Sequence, residues 1–242
     1  MSRTEEQPKY ALSQDDKTMY PWYISSIAKY LVPSTQRLLL EYSHIPLQDQ
    51  SAHVHRIVRM LLDMANFTYL QKAQRDQAFA IRSYPCTGLG VFLVPFIPHT
   101  PIYSTILSQL RRGALLVDVG CFMGNDLRQL AFDGAPTNNM FGVDIVSHWE
   151  VGLEMYKDSG TFQANFIEAD ITSSNERLVA LHSQADLIGI SAVMHQFDLE
   201  TQLTLCKAVI QLSKRGCSLL GYQIGSDEER EDDKLASKIF FQ

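Results

Sequence analysis

No stretch of the 242-residue chain is apolar for long enough to span a bilayer. A crossing helix needs about 20 such residues, so no membrane insertion is expected. No Lys/Arg cluster stands out beyond pairs such as Arg111-Arg112 and Lys214-Arg215. With 21 basic residues against 27 acidic ones and a net charge of -6, the chain lacks the concentrated basic face that neutralises phosphates. Nucleic-acid binding is therefore not expected. The four cysteines, Cys86, Cys121, Cys206 and Cys217, have no metal-ligand spacing. They read as reduced thiols of an intracellular, cytoplasmic protein without a metal. The first eight residues are polar and carry acids, which does not describe a signal peptide. No internal repeat or low-complexity tract appears. The length and the 45% hydrophobic content allow a large core in one or two domains.

What the chain does have falls into three parts. Residues 1–19 are polar, and a flexible N-terminus is expected there. Residues 20–112 read as a helical cap with a segment that lines a substrate site. Ile24, Ile27, Ala28 and Leu31 recur at helical spacing. Pro33 closes that run, and Ser34-Thr35 is placed to cap a second one through Leu38–Leu40. Ser51 to about Ala80 reads as one or two long helices with a break near Asn66-Phe67-Thr68. Its Met60, Met64, Phe67 and Tyr69 are core residues or the lining of an apolar cavity. An irregular, proline-punctuated segment follows, then a helix started by Thr100-Pro101 and stopped by Gly113.

Residues 113–242 alternate. Strands are expected at 114–119, 140–145, 162–167, 186–191 and 217–223. Helices are expected at 124–132, 148–158, 175–184 and 199–213, with Ser147 and Glu150 forming a capping box and Gly216 ending the last helix. Such alternation means right-handed βαβ units and a mostly parallel, Rossmann-like sheet with helices on both faces.

The first strand runs into Gly120 and Gly124, and Asn125-Asp126 open a helix. A phosphate-binding P-loop would need Lys after the last glycine, and none is present. A dinucleotide fingerprint needs a middle glycine. Phe122 stands there, which argues against NAD. S-adenosylmethionine carries no phosphate, only a ribose, an adenine, a zwitterionic amino acid and a sulfonium, and carboxylates suit it better than an anion hole. Asp118 ends the first strand and Asp144 the second, where a carboxylate can accept both ribose hydroxyls. Asp170 follows the third, where it could accept from the adenine amino group while the Ile171 N–H donates to a ring nitrogen. Each could also be a helix cap or a surface acid, but together they make the glycine turn a cofactor pocket. Ser191, after the fourth strand, could take the amino-acid end of the cofactor or be a plain strand-end serine. His195, four residues on, is a general base, a substrate-positioning group or a packing residue. His53 and His55 do not share a helical face; His44, His99, His148 and His182 are scattered and read as surface residues.

With these pieces in place, residues 82–225 resemble the small fungal natural-product methyltransferases of meroterpenoid pathways. The matching stretches are Tyr84-Pro-Cys-Thr-Gly88 with Phe92-Leu93, Asp118-Val-Gly-Cys-Phe-Met-Gly-Asn-Asp-Leu-Arg128, Asp133-Gly-Ala-Pro136, Gly142-Val-Asp144, Phe166-Ile-Glu-Ala-Asp170 and Gly221-Tyr-Gln-Ile-Gly225. The resemblance implies a class I methyltransferase fold, S-adenosyl-L-methionine as cofactor, and methyl transfer to an oxygen, often a carboxylate, of a polyketide-terpenoid intermediate. It also implies that the helical N-terminal third folds over the cofactor and that Tyr84 lines the site. Phe122 departs from the pattern, being bulky where class I methyltransferases commonly have glycine or a small residue; as a lining residue it would narrow the space beside the methionine moiety, and otherwise it points into the core. Seventeen residues follow Gly225, too few for the usual sixth and seventh strands with their helix, so the C-terminal strands are expected to be incomplete. The expected partner is a small hydrophobic molecule, a carboxylic acid or phenol, with a homodimer left open. A methyltransferase-fold protein that catalyses a cyclisation or isomerisation without methylating, and a non-catalytic pathway partner, are the alternatives.

Overall fold

The computed structural model describes residues 26–72 and 90–223. In chain order these form α1 (Pro33–Arg37), α2 (Leu47–Lys72), α3 (Tyr103–Arg111), β1 (Leu116–Val119), α4 (Asn125–Phe132), β2 (Met140–Asp144), α5 (Trp149–Tyr156), β3 (Asn165–Glu168), α6 (Glu176–Val179), β4 (Ala185–Ile190), α7 (Leu199–Leu212) and β5 (Ser213–Leu220). They divide into two compact units. One holds the described residues up to Val94 together with Glu150–Ser159, the other Pro95–Trp149 and the residues from Gly160 onward.

The first unit is helical. α2 is continuous over 26 residues, with no break at Asn66, and it begins at Leu47 rather than Ser51. Its buried stripe is Val54, Ile57, Val58, Leu61 and Leu62, the spacing of a helix that hides one face. Ser34-Thr35 do not cap: α1 starts with Pro33 behind an extended Val32 and has no side-chain cap. The Thr35 hydroxyl instead donates to the Leu93 carbonyl at 2.9 Å, in a buried position. Ahead of α1 the described residues hold a short 3-10 turn, Ala28–Tyr30, in place of the end of a helix. The 150–159 segment is tied in by polar contacts. Tyr42 donates its hydroxyl to Asp158 at 3.0 Å, and an imidazole nitrogen of His53 meets the Met155 carbonyl at 2.8 Å.

The second unit is a five-stranded sheet of order β3-β2-β1-β4-β5, with every pair parallel. This is the α/β, Rossmann-like architecture expected from the alternation. β1 is buried along its whole length, as a central strand covered on both faces must be. Its neighbours place Gly142 on one side of Asp118 and Gly189 on the other. Val117, Val119, Val143, Ile167, Ile188 and Ile190 form the core with Leu205, Val209 and Leu212 of α7. Chain order reverses between β1 and β4, and the carboxyl ends of those strands are where an open α/β sheet binds its ligand.

Several boundaries differ from expectation for local reasons. α3 starts at Tyr103, because Thr100 and Pro101 close a preceding 3-10 turn in which the Thr100 hydroxyl donates to Ile97 O at 2.8 Å. β3 starts at Asn165, since Phe162 packs on Trp149 with ring centroids 5.6 Å apart instead of entering the sheet. The expected helix at 175–184 is only one turn. Asn175 caps it, and i→i+3 bonds at Leu181, His182 and Gln184 then tighten the chain. Gly216 does not end α7. The helix stops at Leu212, and Gly216, with φ +86°, lies inside β5 where the pairing with β4 slips.

The Asp133-Gly-Ala-Pro136 stretch sits past the end of α4, the helix end away from the glycine turn. There Asp133 accepts the Tyr103 hydroxyl at 2.5 Å and the Gln129 amide at 2.7 Å. Arg111 caps the carbonyls of Asp133 and Gly134. The stretch is thus a knot that docks α3. Burial and the Asp133 carboxylate push the Tyr103 phenol well above its ordinary pKa, so it stays a donor. Tyr103→Phe should cost about 1–2 kcal/mol in urea unfolding while leaving cofactor affinity unchanged. A loss of affinity would place this knot in the site.

Candidate functional site

The site is built where β1, β2, β3 and β4 end. After β1 the chain makes the turn Gly120–Gly124. Gly120 has φ +70°, and a Cβ there would lie 2.2 Å from Val193 Cγ2, so the loops after β1 and β4 approach as closely as a glycine allows. Phe122 is also left-handed, at φ +52°, as is Ala192 in the loop after β4, at +57°. For residues with a Cβ this conformation costs about 1–2 kcal/mol each. Such strain gathers at ligand sites when the surroundings enforce it.

The enforcing contacts are specific. Gly120 and Cys121 donate their amides to Val143 O at 2.8 and 3.3 Å, and Gly124 donates to Cys121 O at 2.7 Å. The Phe122 amide donates to Asp144 Oδ2 at 2.8 Å. Arg128, fully buried in α4, donates to the Met123 and Gly124 carbonyls, and its guanidinium lies over the rings of Trp149 and Phe162, 5.2 and 4.2 Å from their centroids. The turn is therefore held from both sides. Four of its amides are spent within the protein, which leaves little to close on a pyrophosphate.

The charges around it are negative. Asp118 is 6% exposed, and a Cβ on Gly189 would lie 2.8 Å from its Oδ1. The neighbouring strand thus gives way to the carboxyl. Burial, then Asp126 and Asp144, raise its pKa well above the carboxylate range. Asp144 is raised by burial against the opposing amides of Phe122, Val146 and Ile145; it keeps lone pairs for a diol. Asp126 accepts the Ile97 amide at 2.7 Å and is pushed up to about 6 by burial. Asp170 is turned onto its own loop, accepting from the Thr172 amide at 2.9 Å, the Thr172 hydroxyl at 2.6 Å and the Ser173 hydroxyl at 3.1 Å. Ile171 packs against the core, and Ser191 is half-buried at the end of β4. His195 lies in the 3-10 turn Met194–Gln196 and is held below its ordinary pKa by burial, with Gln223 opposing. Beyond β5, the Tyr222 ring packs on Phe96 with centroids 4.7 Å apart and leaves an aromatic surface exposed. Tyr84 falls outside the described residues.

Four contributors were not assigned a role from sequence. Arg128 follows Gly124 by one helical turn, so its inward position was readable from spacing. His148, expected at the surface, is enclosed: its ring packs on Phe122 with centroids 4.7 Å apart, and burial lowers its pKa to about 4, so it is neutral at physiological pH. Asp126 and Gln223 owe their places to tertiary contacts alone. Among the described residues Cys121, Cys206 and Cys217 are free thiols, Cys121 being buried, and no helix is long and apolar enough to cross a membrane.

Asp126 gives a test of this electrostatic picture. Its folded pKa lies above the unfolded value, so the folded state holds more protons between about pH 4 and 6 and this group's contribution to stability falls as pH rises through that window. Asp126→Asn keeps an acceptor for Ile97 and removes the charge. Its stability relative to the parent should rise by about 1–2 kcal/mol between pH 4 and pH 7 in urea unfolding. A difference that does not change with pH would mean Asp126 is not enclosed as described.

Residues 22–93 match the meroterpenoid methyltransferase N-terminal domain. The chain is 31% identical to methyltransferase adrK of Penicillium roqueforti over 82% of its length and 64% of that protein's. It is 32% identical to O-methyltransferase atr3 of Stereocaulon alpinum, covering 85% of this chain and 56% of that one. It is 33% identical to the Asnovolin E/Chermesin D methyltransferase nvfJ of Aspergillus novofumigatus, covering 72% and 58%. The chain thus spans less than two thirds of the length of these relatives. Among solved structures it is similar over 46% of its length to a SAM-dependent methyltransferase from Archaeoglobus fulgidus, with 24% identity over 48% of that chain and a TM-score of 0.31. The chain thus carries a match to a meroterpenoid methyltransferase N-terminal domain over residues 22–93 and is similar, there and beyond it, to methyltransferases of fungi.

Proposed function

We propose that the protein binds S-adenosylmethionine and methylates an oxygen of a hydrophobic small molecule, a carboxylic acid or phenol, in terpenoid or polyketide biosynthesis. The observation that carries this reading is the pairing of a glycine turn whose amides are internally bonded with a carboxyl, Asp118, that is buried among other acids. Anionic nucleotides find few open amides in the turn and meet negative charge. A ligand with an ammonium, a sulfonium and a neutral diol fits the donor set instead. When bound, the cofactor supplies an electrophilic methyl group.

The chain's own residues then have distinct tasks. Asp144 accepts from the ribose hydroxyls with the lone pairs that Phe122 and Val146 leave. Asp118, Gly120 and Gly124 shape the amino-acid end, with Ser191 near it. Asp170 and Ile171 flank the adenine, Asp170 through the lone pairs its own loop does not use. Phe122, braced by His148, and the Tyr222–Phe96 pair offer apolar surface to a hydrophobic acceptor. Positioning of this kind supplies much of the rate of an in-line displacement. The names of the relatives, methyltransferases of fungal metabolites, support the same reading.

Titration calorimetry with S-adenosylmethionine should show saturable binding, and Asp144→Ala should weaken it about ten- to a hundredfold, the worth of a charged hydrogen-bond acceptor. No binding at millimolar cofactor would end the proposal. Binding without transfer of labelled methyl to any of a panel of hydrophobic acids and phenols would favour the non-methylating alternative.

A further inference from the structure

α7 carries two apolar stripes. Leu205, Val209 and Leu212 form the first and are buried in the core of the second unit. The second lies roughly a third of a turn around the helix from them. It consists of Leu199, Leu203 and Ile210, which are 71, 54 and 70% exposed, with the half-buried Cys206 between the last two. Exposed leucines scattered singly need no explanation. Aligned along one helix edge and rimmed by the exposed Glu200, Thr204 and Lys207, they make a patch of the kind that marks an interaction surface.

The spacing says what shape of partner fits. Positions 199, 203, 206 and 210 are separated by four, three and four residues, which is the seam a helix presents to another helix lying lengthwise against it. The flanking charges say which helix. On the side of the seam away from the core stand Glu200 and Lys207, seven residues and so about two turns apart. Neither has an ion pair among the described residues. One acid and one base on the same flank make the surface complementary to its own reverse. Turned end for end, a second α7 sets Leu199 against the partner's Ile210 and Leu203 against the partner's Cys206. The same reversal brings Glu200 within two residues of the partner's Lys207, about 3 Å of helix rise, and by symmetry it does so twice. In a parallel pair Lys207 would face the partner's Gln202, and Glu200 would find no helical residue at all.

We infer that this stripe is the contact through which two copies of the chain associate, α7 against α7 in antiparallel order about a twofold axis. Such an interface uses one patch on both copies, as closed dimers do. The leucine and isoleucine side chains supply the burial, and the two Glu200–Lys207 pairs set the direction. With 14 residues in α7 the seam is short, so the association is weak and reversible, with a Kd on the order of 10 μM.

Sedimentation equilibrium of the full chain, at concentrations on the order of 1 to 100 μM, reads this directly. The parent should pass from monomer to dimer across that range. Leu203→Glu puts a carboxylate in the centre of the seam and should weaken association at least about a hundredfold; because Leu203 is exposed in the single copy, the urea midpoint of the monomer should not fall. Glu200→Lys and Lys207→Glu each set like charges against one another twice, and each alone should raise Kd about tenfold. The two together restore the complementary pair and should bring Kd back to within about twofold of the parent. A dimer indifferent to Leu203→Glu, or two single reversals with no recovery in the double, overturns the proposal. A parent that stays monomeric throughout overturns it too. If Leu203→Glu then lowers the stability of that monomer, the stripe is covered by another part of the same chain.

Discussion

Asp118 is a carboxyl group placed in the middle of a parallel sheet with only acids as its nearest charges. Ionising it there is costly, because burial withholds water and the neighbours repel. Much of the second unit is arranged around that constraint. Glycines flank Asp118 on both adjoining strands, and the turn that follows bends away with its amides bonded inward. Arg128, the deeply buried cation of this region among the described residues, is engaged with carbonyls and aromatic faces. A positive ligand relieves the constraint; a negative one adds to it.

The geometry of the turn follows from the same arrangement. In a phosphate loop the amides stay open and the helix N-terminus points its dipole at the anion. Here the Phe122 amide is held by Asp144, so the strand-end acid that would meet a ribose also fixes the turn. The cost is a bulky residue in the left-handed region, stabilised by ring contact with an enclosed, neutral His148. Phe122 therefore has a packing partner, and its side chain need not fill the methionine end of the pocket.

Much of this was legible in the sequence because it is local. An apolar run, two glycines four positions apart and an amphipathic helix specify β1, the turn and α4. Alternation of period and turn residues then specifies the parallel sheet. Strand-end acids could be named because strands end where polar residues begin. Less local features were not legible. Gly216 looked like a helix stop because nothing in its neighbourhood reveals a pairing slip between β4 and β5. His148 looked like a surface residue because its burial comes from Phe122, twenty-six positions away. Gln223 carries no sequence signal at all; its side chain meets the Met194 amide, the Ile190 carbonyl and the His195 ring. The Asp133 stretch, which is distinctive as a sequence, holds α3 through Tyr103 and Arg111.

If the acids of this site are held protonated until a cation arrives, binding must expel protons. Calorimetric titration of S-adenosylmethionine at pH 6 in two buffers of different ionisation enthalpy measures that directly. Net proton release is what this account predicts, with the share owed to Asp126 shrinking as pH rises above about 6. Binding with no proton exchange, or with uptake, would contradict it.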